Sequence, residues 1–196
     1  ELLEQRSVSP QISQGLIVKS VVAILLSLLA IFLYIGFRFN RWQFGLGALI
    51  AMFHDVLVVL GLFSILWKVM PFSMEIDQAF IAALLTVIGY SINDTVVVYD
   101  RIREFIGLHK RDDQNKVING ALNTTLTRTI NTSATTFVVL LIIFIFGGEG
   151  IRGFSFALML GVVVGTYSSI FIATPAVVDL TKDLMPTAKL AKDKNG

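Results

Sequence analysis

Cysteine is absent from the 196 residues. That excludes a disulfide framework and any thiolate metal site, and it leaves the redox compartment open. Histidine occurs twice, as His54 and His109, too few for a histidine-built metal centre. Charged side chains make up only 15% of the chain, and no basic patch interleaved with aromatics offers a nucleic-acid surface. Neither a GxxxxGK[ST] loop nor a dinucleotide fingerprint occurs, so no nucleotide site is expected. What remains is hydrocarbon. Apolar residues reach 55% with a mean hydropathy of +0.75, a composition that places the chain among integral membrane proteins.

A hydrocarbon layer of roughly 30 Å takes about 20 apolar residues in a helix. Five runs of that kind lie near 16–37, 44–67, 79–99, 129–147 and 153–178. The fold class expected is therefore an all-α membrane protein. The first run follows a polar stretch, ELLEQRSVSPQISQ, without a small-residue cleavage site after it, and is read as a span rather than a signal peptide. That opening also lacks an initiator Met, so a longer parent protein is expected, with residues 1–15 ending an extracytoplasmic connection.

Lysines and arginines set the expected orientation. Arg38, Arg41, Arg101, Arg103, Lys110, Arg111, Lys116, Arg128, Lys182, Lys189, Lys192 and Lys194 fall on one side, twelve in all, against Arg6, Lys19, Lys68 and Arg152 on the other. The richer side is assigned to the cytoplasm, with the fragment's N-terminus outside and the tail 181–196 inside. The one long connection, 101–128, carries apolar residues at 117, 118, 121, 122 and 126, a spacing that fits a short amphipathic helix at the membrane surface. Asp112 or Asp113 is placed to cap it, and Gly120 weakens it.

In the last run Ala157, Gly161, Gly165 and Ser169, continued by Ala173, recur every four residues, a ridge of small side chains for close helix packing. Gly47 and Ala51 repeat this on a smaller scale, and Pro175 is expected to kink or end the helix. No chemistry is assigned to these positions.

The polar residues inside hydrocarbon carry the functional signal. Asp55 lies mid-span in LGALIAMFHDVLVVLGLF, and Asp94 lies six residues before the charged helix exit at Asp100, about 9 Å deeper at roughly 1.5 Å per residue. A buried carboxylate costs several kcal/mol unless paired or hydrated, so both are candidate functional groups. Tyr90, Ser91, Asn93 and Thr95 surround Asp94 in sequence as hydrogen-bonding groups. In TTLTRTINTSATT, Thr124, Arg128, Asn131 and Thr135 recur at helical spacing and are expected to face Asp94. An arginine opposite an aspartate pairs with the ionised carboxylate, and protonation releases it, which is the elementary step of a proton-coupled switch. Plainer roles compete: Arg128 snorkelling to headgroups, and Asp94 or Asp55 serving as helix–helix hydrogen bonds. His54 and Asp55, being adjacent, are expected on different helix faces. The residues point to a proton-coupled transporter.

GYSINDTVVVYDRIRE at 89–104, LTRTINTSATT at 126–136 and FHDVLVVLG at 53–61 resemble the SecF family of bacterial protein-export membrane proteins, over essentially all five runs. The resemblance implies membership of the resistance-nodulation-division superfamily, with five helices of a six-helix bundle present, and a multi-pass protein of the bacterial cytoplasmic membrane. It implies an auxiliary, non-enzymatic subunit of the Sec translocase that works with SecD beside the SecYEG channel. Such a subunit uses the proton motive force to promote export of polypeptides driven by SecA. On this implication Asp94 and Arg128 are the proton-coupling residues, Asp55 is secondary, and protons are the coupling ion with no cofactor. A small-molecule or lipid exporter of the same superfamily, and a passive Sec scaffold, are the rival expectations. An aspartyl protease is disfavoured by the lack of a GxGD motif.

Overall fold

The computed structural model describes residues 10–110, 112–181 and 184. Most of residues 1–15 and of the tail 181–196 lies outside these. Every regular element among the described residues is a helix: α1 (Pro10–Phe39), α2 (Trp42–Leu66), α3 (Gln78–Leu108), α4 (Gln114–Phe146) and α5 (Glu149–Ser168), then a π-helical turn (Ser169–Ala173) and α6 (Thr174–Leu180). α1 to α4, and α5 taken together with its continuation to Leu180, give five helices long and apolar enough to cross a membrane. Each contains one of the five apolar runs.

Local signals explain the helix ends. Asn40 turns α1 into α2 with φ of 54°, a left-handed conformation that Asn tolerates better than most residues with a side chain. The Asp77 carboxylate accepts from the Phe80 N–H at 2.9 Å and starts α3, and Asp113 accepts from the Asn115 and Lys116 N–H groups to start α4. These caps satisfy donors that a helix start leaves without an intrahelical partner.

α3 and α4, at 31 and 33 residues, are each about 45–50 Å long, well over a hydrocarbon layer. They absorb most of the 101–128 connection. The expected amphipathic segment is helical and is capped by Asp113, yet it is the start of α4 rather than a separate helix at the membrane surface. Its apolar residues Val117, Ile118 and Ala121 are buried. Gly120 does not break it, because the missing side chain lets α4 approach Phe105: a Cβ there would stand 3.1 Å from the ring.

α3 and α5 form the centre, each packed on the other and on α2 and α4, while α1 leans chiefly on α2. The small-residue ridge of α5 faces α3. A Cβ on Gly161 would collide with the Val87 side chain, and one on Gly165 would reach 3.0 Å from the Ser91 Cβ. On α2, Gly47 admits Tyr99 and Val177 in the same way. Pro175 does not end the helix. The chain widens into the π-turn just before it, where the Thr174 hydroxyl donates to the Ser169 carbonyl at 3.2 Å and the Tyr99 hydroxyl donates to the Ala173 carbonyl at 3.1 Å. Side chains thus supply donors where the regular ladder is interrupted.

The core has two apolar layers. One gathers Phe39, Phe44, Tyr99, Ile102 and Val177; the other gathers Phe63, Phe80, Leu84, Val87 and Leu158. Along α2, α3 and α5 a run of buried polar residues separates them.

Candidate functional site

That intervening layer contains both carboxylates. Asp55 on α2 is fully buried. Its Oδ2 accepts from the Ser91 hydroxyl of α3 at 2.6 Å and from the Ser168 hydroxyl of α5 at 2.8 Å, so three helices meet at one oxygen. Its Oδ1 lies 3.2 Å from His54 Nδ1. The adjacent residues do touch, contrary to the expectation from helix faces, because the two side chains bend toward each other across one peptide unit. His54 itself is about one third exposed, at 35%.

Asp94 stands one turn beyond Ser91 on α3 and is 1% exposed. Its Oδ2 accepts from the Ser133 hydroxyl of α4 at 3.4 Å, and its Oδ1 is buried without any hydrogen bond. Ser133 in turn accepts from Thr166 of α5 at 2.6 Å and from Tyr90 at 3.5 Å, and Tyr90 also reaches the Thr136 hydroxyl at 3.3 Å. Thr95 is buried and back-bonds to the Ser91 carbonyl at 3.1 Å. The result is a carboxylate joined through Ser133 to a network of hydroxyls from α3, α4 and α5. Hydroxyls can donate to the charged form and accept from the protonated one.

The structure therefore gathers Asp55, Asp94, Tyr90, Ser91 and Thr95 and leaves other expected residues apart. Asn93 is exposed, since one residue along a helix turns the side chain by about 100°. Arg128, Asn131 and Thr135 lie on the outward face of α4, and the Thr135 hydroxyl bonds back to the Asn131 and Thr132 carbonyls. Thr124, of the same stripe, accepts from Arg101 Nε at 2.9 Å. Arg128 and Asp94 are not in ion-pair contact, but the Arg128 charge is near enough to act on the Asp94 carboxylate. The inward stripe of α4 is one residue out of phase with the expected one: Val117, Ala121, Thr125, Thr129 and Ser133. Sequence reasoning missed Ser133, Thr166 and Ser168. The four-residue recurrence of small and hydroxyl residues on α4 was the available signal, the same one that identified the α5 ridge.

Five helices long and apolar enough to cross a membrane, with ionisable groups turned into the bundle interior, define a multi-pass helical membrane protein whose buried carboxylates are the candidate functional groups. Residues 1–183 match the family of protein export membrane proteins SecD/SecF, C-terminal, and the chain belongs to that family. It is 53% identical over 191 residues to the protein translocase subunit SecF of Rhodothermus marinus, covering 97% of this chain and 62% of that protein. It is 45% identical over 171 residues to the protein translocase subunit SecDF of Brucella abortus, covering 87% of this chain and 22% of that one. A crystal structure of SecDF in a super-membrane-facing form superposes with a TM-score of 0.78 at 36% identity, covering 96% of this chain and 24% of that one. The chain thus spans less than two thirds of the length of these relatives.

Proposed function

We propose that the chain is the proton-coupled membrane part of an auxiliary subunit of the Sec protein translocase. It promotes polypeptide export across the bacterial cytoplasmic membrane together with SecD, beside SecYEG and after SecA has acted. It is not an enzyme and uses protons, with no cofactor. Its orientation puts the N-terminal end of α1 outside and the α3–α4 connection and the tail inside, as the lysine and arginine distribution requires. The observation that carries the proposal is Asp94, buried in a membrane helix with one carboxylate oxygen bonded only to a long Ser133 contact and the other to nothing.

An ionised carboxylate in that setting is costly, so proton binding and release at Asp94 change the energy of the surrounding packing. Moving one charge through the membrane potential yields about 2.3 kcal/mol per 100 mV, enough to shift a two-state bundle by roughly fifty-fold. Arg128 supplies the alternating partner in this scheme: its charge already acts on the Asp94 carboxylate, and its long side chain can reach inward beside the buried Thr129. Asp55, held by hydroxyls from two neighbouring helices, is the second carboxylate of the coupling layer.

The test is proton-motive-force-stimulated export in vesicles carrying the full-length protein with its partners, comparing Asp94→Asn and Arg128→Ala with the parent at equal membrane levels. Expected is loss of the stimulated increment with SecA-driven export and assembly retained. Undiminished stimulation in Asp94→Asn would remove the carboxylate from the mechanism and leave a scaffold role.

A further inference from the structure

Asp94 on α3 makes no direct hydrogen bond to α5, although α3 and α5 share the most intimate packing of the bundle. The connection runs through α4. Thr166 Oγ1 donates to Ser133 Oγ at 2.6 Å, and Ser133 Oγ donates to Asp94 Oδ2 at 3.4 Å. We propose that Ser133 and Thr166 are positioning residues that transmit the protonation state of Asp94 to α5, a role that rests on the proton-coupling reading above.

The direction of the chain suits one state of the carboxylate. Ser133 donates to an unprotonated oxygen, and its own oxygen is then supplied by Thr166. When Asp94 takes up a proton, a new O–H bond forms on the carboxyl and that group becomes a donor. Ser133 then accepts from it and must turn its own proton away. Thr166 has a second acceptor for its single proton, the Val162 carbonyl at 2.7 Å. It can release Ser133 and close onto its own helix, which unties α5 from α4. No covalent bond other than the carboxyl O–H is made, and the proton comes from the membrane's aqueous side.

Two further features fit. The pair lines a lateral groove between α4 and α5 whose other walls include the apolar Ile130, Ala134, Phe137 and Val163, and the Tyr90 hydroxyl, 3.5 Å from Ser133 Oγ, can accept from the O–H that Ser133 turns away. Thr129, one turn before Ser133 on the inward face of α4, has a buried hydroxyl without a hydrogen-bond partner, as does Asp94 Oδ1. Unsatisfied buried groups are costly, and one on the carboxyl itself with another a turn from Ser133 leaves this layer with hydrogen-bonding capacity to spare.

Thr166→Val keeps the shape and removes the hydroxyl, Ser133→Ala removes the middle of the chain, and Thr166→Ser restores the hydroxyl in a smaller side chain. Each is placed in the full-length protein, with membrane level and association with its partners checked, and proton-motive-force-stimulated export is measured in vesicles beside Asp94→Asn. Expected is a loss of the stimulated increment of about three- to tenfold in Thr166→Val and Ser133→Ala, near-parental function in Thr166→Ser, and no added loss in the double variant. Full stimulation in Thr166→Val together with loss in Asp94→Asn would overturn the relay while sparing the proton-coupling reading. Equal losses in Thr166→Ser and Thr166→Val would assign the site to packing and overturn it too. Stimulation intact in Asp94→Asn would remove the reading on which the relay rests, and the relay with it.

Discussion

At the scale of single residues, the two carboxylates are held in different ways, and the difference carries a prediction. Asp55 has two short hydroxyl contacts on one oxygen and a histidine nitrogen on the other, whereas Asp94 has one long contact. A well-supplied group stabilises the fold; a poorly supplied one is free to change state. Ser168→Ala, which deprives Asp55 of one donor, is expected to lower stability in a bilayer mimic by about 1–2 kcal/mol. Ser169→Ala removes a hydroxyl that bonds only to the Thr166 carbonyl within its own helix, so its effect should be the smaller. Thermal unfolding followed by circular dichroism separates them, and equal shifts would deny Asp55 its structural role. The presence of Asp55 and Asp94 in an apolar context was legible in the sequence. Their partners were not: Ser133 is one of many hydroxyls that TLTRTINTSATT sets on nearly every face of α4, and Ser168 lies on α5, a helix legible only as a ridge of small residues. A hydroxyl is cheap enough to stand at a lipid-facing or a buried position, so its type does not reveal its direction.

At the scale of helices, the α3–α5 contact is decided by volume. Gly161 lies directly against Val87 and Gly165 against Ser91, so the glycines set how closely the two helices that carry the site can approach. Gly161→Ala is expected to cost about 1–3 kcal/mol through overpacking, and Val87→Ala in the same chain should restore part of it, a coupling measurable as a double-mutant cycle. Gly89 on α3 has nothing within 4 Å of the position of a Cβ, and Gly89→Ala should be neutral or stabilising by up to about 1 kcal/mol. Destabilisation by Gly89→Ala as large as that of Gly161→Ala would mean that the loss does not arise from the α3–α5 contact, since helix propensity alone favours alanine. The ridge on α5 was readable because period-four small residues have few uses in a membrane helix other than close packing. The fusion of the 117–126 segment into α4 was not, since an apolar stripe seeks burial equally well on a membrane surface or on α3, and the choice falls to Phe105 fitting over Gly120. The π-turn was equally hidden: Pro175 announces an interruption, but only Tyr99, from 74 residues away, shows that the helix can pass through it.

At the scale of the whole molecule, charge placement should determine which end of the bundle meets the cytoplasm. The ends of α3 and α4 that carry Arg101, Arg103, Lys110 and Lys116 lie together with the Arg38 end of α1, where Arg38 pairs with Asp100 at 3.3 Å. The opposite end, formed by the α2–α3 and α4–α5 connections, holds Lys68 and Arg152 and is closed by Phe63, Phe72, Phe80, Phe144 and Phe156 packed ring against ring. Translocating the first end would carry a cluster of cations through hydrocarbon, so the aromatic end is expected to be the one that crosses. The absence of cysteine makes this directly measurable, because each introduced thiol is the only one in the chain. In intact cells making the full-length protein, with any cysteine outside this segment removed, a membrane-impermeant maleimide should label Glu75→Cys in the α2–α3 connection. Asp112→Cys in the α3–α4 connection should react only after the envelope is opened. The reverse pattern would invert the bundle and place the hydroxyl stripe of α4 on the path from the outside, so that protons arriving down their gradient would meet Thr125 and Thr129 before Asp94 rather than after it.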